Sequence, residues 1–189
     1  MMRVMLVAFT MGWMAAGCAA PPAPTTPWQP LPLQNADFEE GEAAVHCPRG
    51  WGCKAHANPH AYKFVMDTVK PPKGKRSLCV ELASKEPWAA VSQGTHEIPK
   101  GARLRFSVAL RVEGGSDRGV GPYIAAHGGS GQVVSHQLNV VQGTFEWKRV
   151  EVEFDVPPDA SILEFGVTFY RSVRACMDDA RLEILRPPV

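Results

Sequence analysis

The chain has 189 residues, a length that suits one globular domain with short appendages. Its 20 Lys and Arg residues against 19 Asp and Glu residues give a formal charge of +1, which excludes the strong basic excess of a nucleic-acid-binding protein. The apolar fraction of 45% can fill a core, and 17 Pro with 17 Gly residues favour a turn-rich all-β chain over a helical one.

The first 17 residues have the pattern of a cleaved signal peptide: one basic residue, Arg3, then an apolar run and small residues before Cys18. The Ala-Ala-Gly-Cys segment at 15–18 resembles a bacterial lipobox, in which diacylglycerol is attached to the Cys thiol and the peptide is cut before it. We therefore expect residues 1–17 to be removed and Cys18 to anchor the chain in a membrane through its lipid. The alternative is an ordinary secretory signal cleaved near Ala20, which would discard Cys18.

Residues 18–33 comprise the expected anchor, Cys18, and a segment with six prolines, a composition typical of an extended, semi-rigid tether. The residue after Cys18 is Ala rather than the Asp of an inner-membrane retention signal, so in a Gram-negative source the resemblance implies the outer membrane of the cell envelope. Loss of Arg3 would leave the mature chain formally neutral, with no net charge to attract a partner.

Residues 34–189 alternate short β-patterned runs with clusters of turn residues. In 103–111, 147–156 and 163–170, apolar and polar residues alternate, so each run predicts a strand with one buried face. Shorter strands are predicted at 77–82, 89–98, 122–127, 133–141 and 177–185. Eight or nine antiparallel strands of this kind predict an all-β antiparallel β-sandwich or jelly roll.

Four cysteines remain once Cys18 is set aside, an even number in a chain expected in an oxidising compartment. Two disulfides are predicted, and of the three connectivities we favour Cys47 with Cys53 and Cys79 with Cys176. The rival interpretation is a metal site, because histidines crowd the loop around Cys47 and Cys53 with ligand-like spacing; they are His46, His56 and His60.

A series of short motifs resembles, in order and spacing, the galactose-binding-like jelly roll of carbohydrate-binding modules. The motifs are Asn-Ala-Asp-Phe-Glu-Glu-Gly at 35–41, Gly-Trp at 50–51, Gly-Lys-Arg-Ser-Leu at 74–78, Val-Ser-Gln at 91–93, Gly-Thr-Phe-Glu-Trp at 143–147 and Met-Asp-Asp-Ala-Arg-Leu-Glu at 177–183. The resemblance covers essentially the whole mature domain and implies that fold.

The same resemblance implies a structural Ca²⁺ near the junction of the first and last strands, with Glu39 and Asp178 or Asp179 as ligands. Phe38 would be an inward anchor of the first strand. The alternative for these carboxylates is a salt bridge to Arg181 or solvation at the strand end.

Sugar binding requires an aromatic platform beside hydrogen-bonding groups, and polar strand faces offer both. The expected ligand-binding residues are Trp88, Tyr123 and Tyr170 for stacking, with Arg105, Arg111, His127 and Glu164 for hydrogen bonds. Catalysis is not expected, because adjacent Asp178 and Asp179 point to opposite faces of a strand and 128–132 lacks a complete nucleophile elbow.

The sequence thus predicts a non-catalytic envelope lipoprotein that binds a glycan. The alternative is an envelope assembly lipoprotein that binds another protein and has no sugar site; an exposed flat apolar patch would favour it.

Overall fold

Eleven β-strands form two antiparallel sheets in the residues that the computed structural model describes, which are 27–40, 47–97, 99–116 and 118–185. The predicted signal peptide and Cys18 lie outside these ranges. No helix in the described ranges is long and apolar enough to cross a membrane. The strands are β1 (Gln29–Leu31), β2 (Gly52–Ala55), β3 (Tyr62–Asp67), β4 (Ser77–Leu82), β5 (Ala89–Thr95), β6 (Arg103–Glu113), β7 (Val120–His127), β8 (Val133–Leu138), β9 (Phe145–Asp155), β10 (Ile162–Phe169) and β11 (Arg174–Leu185).

The six-stranded sheet has the order β3-β4-β11-β6-β9, with β1 also paired to β11, and the five-stranded sheet has the order β2-β5-β10-β7-β8. The predicted all-β sandwich is confirmed, and each of the eight predicted strands is present. Strands β2 and β3 were not predicted, because Gly52–Ala55 is short and Tyr62–Asp67 lacks clean alternation.

The sandwich begins earlier than residue 34. Strand β1 lies within the predicted tether and pairs Gln29 to Leu31 with Ile184 to Leu182 of β11. The side chain of Leu31 packs against the core, and Pro30 is tolerated because β1 is a short edge strand. Strand β1 was therefore not predicted, because its Pro-rich segment has the composition of a tether.

The core lies between the two sheets. It is built from the apolar side chains that alternate with polar ones along each strand and point toward the other sheet. In β6 the residues Leu104, Phe106 and Val108 are fully buried, and in β10 Phe165 and Val167 face them. The rings of Phe106 and Phe165 meet across the two sheets with centroids 5.8 Å apart.

Phe38 is buried as expected, but it does not lie on a strand. It occupies a turn with φ of 54° and stacks on Trp51, with ring centroids 5.1 Å apart. The indole Nε1 of Trp51 donates a hydrogen bond to the carbonyl of Asn35 at 3.1 Å. This pair closes one end of the core with aromatic side chains from two loops.

The favoured disulfide connectivity is confirmed. Cys47 is bonded to Cys53, and Cys79 is bonded to Cys176. Cys79 and Cys176 are directly opposed residues of neighbouring strands β4 and β11. Because Cys47 and Cys53 bond each other, their thiolates are not available to the metal site that was the rival interpretation.

Candidate functional site

A groove of about 590 Å³ runs across the outer face of the five-stranded sheet. All five strands of this sheet or the loops next to them contribute to its walls. The lining residues are Gly52, Cys53, Lys54, Trp88, Ala90, Ser92, Tyr123, Ala125, His127, Val133, His136, Glu164, Thr168 and Tyr170.

Strand β10 provides the floor of the groove because its side chains alternate between core and solvent. Glu164 and Thr168 face the groove, while Phe165 and Val167 face the core. Gly166 sits between them, opposite Tyr123 and Ser92. A Cβ at Gly166 would lie 2.2 Å from the carbonyl oxygen of Val91, so only glycine fits here.

Glu164 is the centre of a hydrogen-bond network on this floor. The hydroxyl of Tyr123 donates to its Oε1 at 2.6 Å, and Nε2 of His127 lies 3.2 Å from its Oε2. The hydroxyl of Ser92 also bonds to Glu164 and to Tyr123. Nδ1 of His127 is 3.2 Å from the carbonyl oxygen of Gly131, which fixes the plane of the imidazole ring.

The network controls the charge of its members. Burial alone would raise the pKa of Glu164, but hydrogen bonds from Tyr123, Ser92 and His127 hold it below its usual value. Burial raises the pKa of Tyr123, and its bond to Glu164 raises it further. The groove therefore presents an ionised carboxylate next to a neutral phenol at ordinary pH.

Trp88 and Tyr170 are the partly exposed aromatic side chains of the groove. Trp88 makes an edge contact with the ring of His56, with centroids 5.4 Å apart, and Nζ of Lys54 lies 5.9 Å from the Trp88 centroid. Tyr123 was expected to stack on a ligand, but it is only 7% exposed and uses its hydroxyl for Glu164. Trp88 and Tyr170 are therefore the residues of this groove that would stack on a ligand.

The structure brings together five of the seven expected ligand-binding residues: Trp88, Tyr123, His127, Glu164 and Tyr170. Their role in binding stays a prediction.

Arg105 and Arg111 are not part of the groove, because β6 belongs to the other sheet. Arg105 pairs with Glu183 at 2.8 Å and covers the ring of Trp28. Arg111 is only 5% exposed and pairs with Asp67 and Glu113.

Sequence reasoning missed Lys54, Ser92 and His136 as groove residues. Ser92 follows Ala89, Ala90 and Val91, a run of small and apolar residues that does not distinguish the two faces of a strand. His136 lies on β8, where the alternation is weak. Only the pairing of strands places these side chains in the groove.

The three carboxylates expected to bind Ca²⁺ lie near one another but contact different groups. Oε1 of Glu39 accepts the N–H groups of Lys75 and Arg76, and Oδ2 of Asp178 accepts the N–H of Lys73 at 3.3 Å. Burial raises the pKa of Asp178 to about 7, and the charges of Asp179 and Glu39 add to the effect. The carboxylates of Glu39 and Asp178 both offer the oxygen atoms that Ca²⁺ prefers, and these oxygens accept backbone N–H groups in this structure.

Asp179 does not fit the same set. It lies on a β-bulge with φ of 44°, and its carboxylate pairs with Arg149, Arg181 and Lys73. The salt bridge to Arg181 that was the alternative interpretation is thus present for Asp179. A Ca²⁺ ion bound by Glu39 and Asp178 stays a prediction.

No family model matches the chain, and no curated protein matches it either. Solved structures with the same fold do superpose on this chain. Tailspike protein 4 of bacteriophage CBA120, in its enzymatically active domain, superposes with a TM-score of 0.64 at 10% identity over 80% of this chain. The chain covers 21% of that tailspike chain, so the likeness is to one part of a larger protein.

Carbohydrate-binding modules match over nearly their whole length. The CBM22-1 xylan-binding domain of Paenibacillus barcinonensis Xyn10C gives a TM-score of 0.56 at 16% identity, covering 81% of this chain and 94% of that domain. TmCBM61, solved in complex with β-1,4-galactotriose, gives 0.53 at 20% identity, covering 79% and 95%. At these identities the likeness shows the fold: the β-sandwich of carbohydrate-binding modules, as the sequence motifs implied.

Proposed function

We propose that this chain is a non-catalytic glycan-binding protein that is displayed on a bacterial envelope through a lipid on Cys18. The groove on the five-stranded sheet is the observation that carries the glycan-binding part. Trp88 and Tyr170 offer apolar faces for the C–H face of a pyranose, and Glu164 offers an ionised acceptor for its hydroxyl groups.

Two observations support binding rather than hydrolysis. Glu164 is the single acidic residue among the described residues that line the groove, whereas glycoside hydrolysis normally uses two carboxylates across the scissile bond. The CBM22-1 xylan-binding domain and TmCBM61, which binds β-1,4-galactotriose, have this fold. The lipid anchor rests on the lipobox resemblance alone.

The test is a glycan array probed with the purified chain, followed by calorimetric titration of the best ligand. The variant W88A/Y170A should weaken that binding by at least about tenfold, because each ring supplies a stacking face. W28A is the matched control, since Trp28 lies against Arg105 on the other sheet, and it should bind normally.

A blank array together with a stable envelope protein partner in a pull-down would contradict the proposal. That result would favour the alternative of an assembly protein without a sugar site.

A further inference from the structure

A second pocket, of about 370 Å³, adjoins one end of the groove. At this edge of the sheet β5 begins at Ala89 and β10 ends at Phe169, and these two residues are paired. The groove residues Trp88 and Tyr170 come one residue beyond those positions. The pocket is formed by the loops that continue from there, through Lys85, Glu86, Pro87, Arg118 and Arg171.

The pocket is cationic. Lys85, Arg118 and Arg171 are all exposed, and none of them forms an ion pair with an acidic residue of the described ranges. The one acidic residue in the pocket, Glu86, has a side chain that is only 7% exposed. Its Oε1 accepts the N–H of Ala57 at 2.6 Å, so its carboxylate is held toward the protein.

The loops that carry these cations are fixed by hydrogen bonds. The N–H of Arg171 donates to the hydroxyl of Tyr62 at 3.3 Å, which holds Arg171 at φ of 50°. Ser116 Oγ donates to the carbonyl of Tyr170 at 3.0 Å and accepts the N–H of Gly119 at 2.9 Å. A pocket whose backbone is already ordered loses less conformational entropy when a ligand binds.

Several arginines elsewhere in the described ranges are paired with acids, whereas the cations of this pocket pair with no described acid. On the outer face of the six-stranded sheet, several arginines pair with acids of adjacent strands, as Arg103 does with Glu153 and Arg174 with Glu81. The near-zero net charge therefore hides a local excess of positive charge at one end of the groove. Lys54, beside Trp88, adds to that excess.

The pocket also lies far from the point where the described chain enters the fold. Strand β1 pairs with Ile184 of β11, and Ile184 also pairs with Leu104 at the start of β6. Arg118 lies just after the other end of β6, which is at Glu113. Strand β6 has 11 residues and therefore spans about 34 Å between these two ends. In a protein anchored through its N-terminus, the cations would lie far from the point of attachment.

We propose that the natural ligand is an anionic glycan, whose sugar rings occupy the groove and whose carboxylate or sulfate group binds Lys85, Arg118 and Arg171. The inference rests on the proposed glycan-binding function of the groove and narrows its ligand class. Two guanidinium groups suit carboxylate and sulfate, because their planar N–H donors match paired anionic oxygens.

The test is calorimetric titration of the purified full chain with three tetrasaccharides and one headgroup compound. The probes are tetragalacturonate, a sulfated galactan tetrasaccharide, neutral xylotetraose and glycerol phosphate. We expect one acidic tetrasaccharide to bind at least about tenfold more tightly than xylotetraose, and this preference to shrink at high salt.

Two double variants separate the pocket from general electrostatics. R118Q/R171N should raise the Kd for the acidic tetrasaccharide by about tenfold and leave that for xylotetraose unchanged. Asn is used at 171 because it tolerates a positive φ. The control K63Q/K100Q removes the same charge at exposed sites away from the groove and should bind like the wild type. K85E tests the same pocket by charge reversal.

Equal binding of acidic and neutral tetrasaccharides would overturn the inference while leaving the proposed function intact. Equal losses in R118Q/R171N and K63Q/K100Q would overturn it too. Tighter binding of glycerol phosphate than of any sugar would assign the pocket to a lipid headgroup instead. Failure of the wild type on every glycan of the array, by contrast, would contradict the proposed function itself.

Discussion

Glu164 lies on the floor of the groove and also contributes to the stability of the fold. Its carboxylate is bonded to Tyr123 and Ser92 and faces His127, so three strands of the five-stranded sheet meet at one side chain. Burial disfavours its charge, but the hydrogen bonds outweigh burial, and its pKa lies below the ordinary value of 4.5. The ionised form therefore stabilises the folded chain.

The stabilisation should depend on pH in one direction. A carboxyl group with a lowered pKa in the folded state stabilises fully above its unfolded pKa, and this is lost as the pH falls through the folded value. We expect E164Q to reduce the free energy of unfolding by about 1 kcal/mol at pH 7, because a charged acceptor is lost from a partly exposed network. The difference from the wild type should shrink as the pH falls below 4.5.

Urea denaturation at a series of pH values measures this difference. E146Q is the control, because Glu146 is exposed on β9, and its effect should stay within about 0.5 kcal/mol. A difference between E164Q and the wild type that grows on acidification would contradict the assigned network.

For single residues, the sequence predicted which face of a strand a side chain occupies better than it predicted which sheet contains that strand. Alternation along β6 correctly turned Arg105 and Arg111 away from the core, but it could not say which sheet would contain β6. Arg111 became a nearly buried partner of Asp67 on the six-stranded sheet. Tyr123 was placed on the right face, but its burial followed from the neighbouring strands.

The strands themselves were largely predictable. Long runs with period-two alternation, such as 103–111 and 163–170, gave strands β6 and β10 because one face of each had to be buried. Strand β1 could not be found this way, since a three-residue edge strand is defined by its pairing with β11 rather than by its own pattern. The bulge at Asp179 likewise depends on the strands around it.

The two disulfides should contribute unequally to stability. Cys79–Cys176 closes a separation of 97 residues and Cys47–Cys53 one of 6 residues. Loop-closure entropy gives about 4.7 kcal/mol for the first and about 2.2 kcal/mol for the second. We expect C79A/C176A to lower the free energy of unfolding about twice as much as C47A/C53A, measured by urea denaturation; equal or reversed losses would contradict the entropic account.

The junction of the turn at Glu39 with strand β11 should respond to Ca²⁺. Binding to the folded state alone would raise the melting temperature by several degrees at a Ca²⁺ concentration 100 times the Kd. We expect calorimetry to show this rise, EGTA to reverse it, and D178N and E39Q to abolish it. D159N, at an exposed acid, is the control and should keep the rise. No effect of Ca²⁺ on the wild type would contradict the expected site.

At the scale of the whole molecule, the sandwich gives its two outer faces different properties. The six-stranded face is covered by ion pairs such as Arg105 with Glu183, which satisfy one another. The five-stranded face keeps a groove with an ionised carboxylate near one end and, beyond the other, cations that pair with no acid in the described part of the chain. A chain with a formal net charge of only +1 can therefore attract an anionic ligand locally, although its net charge is too small to attract one.

The proposed lipid on Cys18 would hold the domain on a membrane. If Cys18 carries the lipid, its acyl chains hold the protein stably on a membrane, and C18S should move the chain from the membrane fraction to the soluble fraction. Membrane fractionation with immunoblotting measures this, and intact mass should show that the wild type carries the lipid and C18S does not. C47S/C53S, which removes two other cysteines and leaves Cys18, should stay with the membrane. Unchanged fractionation of C18S would contradict the lipid anchor and favour an ordinary secretory signal cleaved near Ala20.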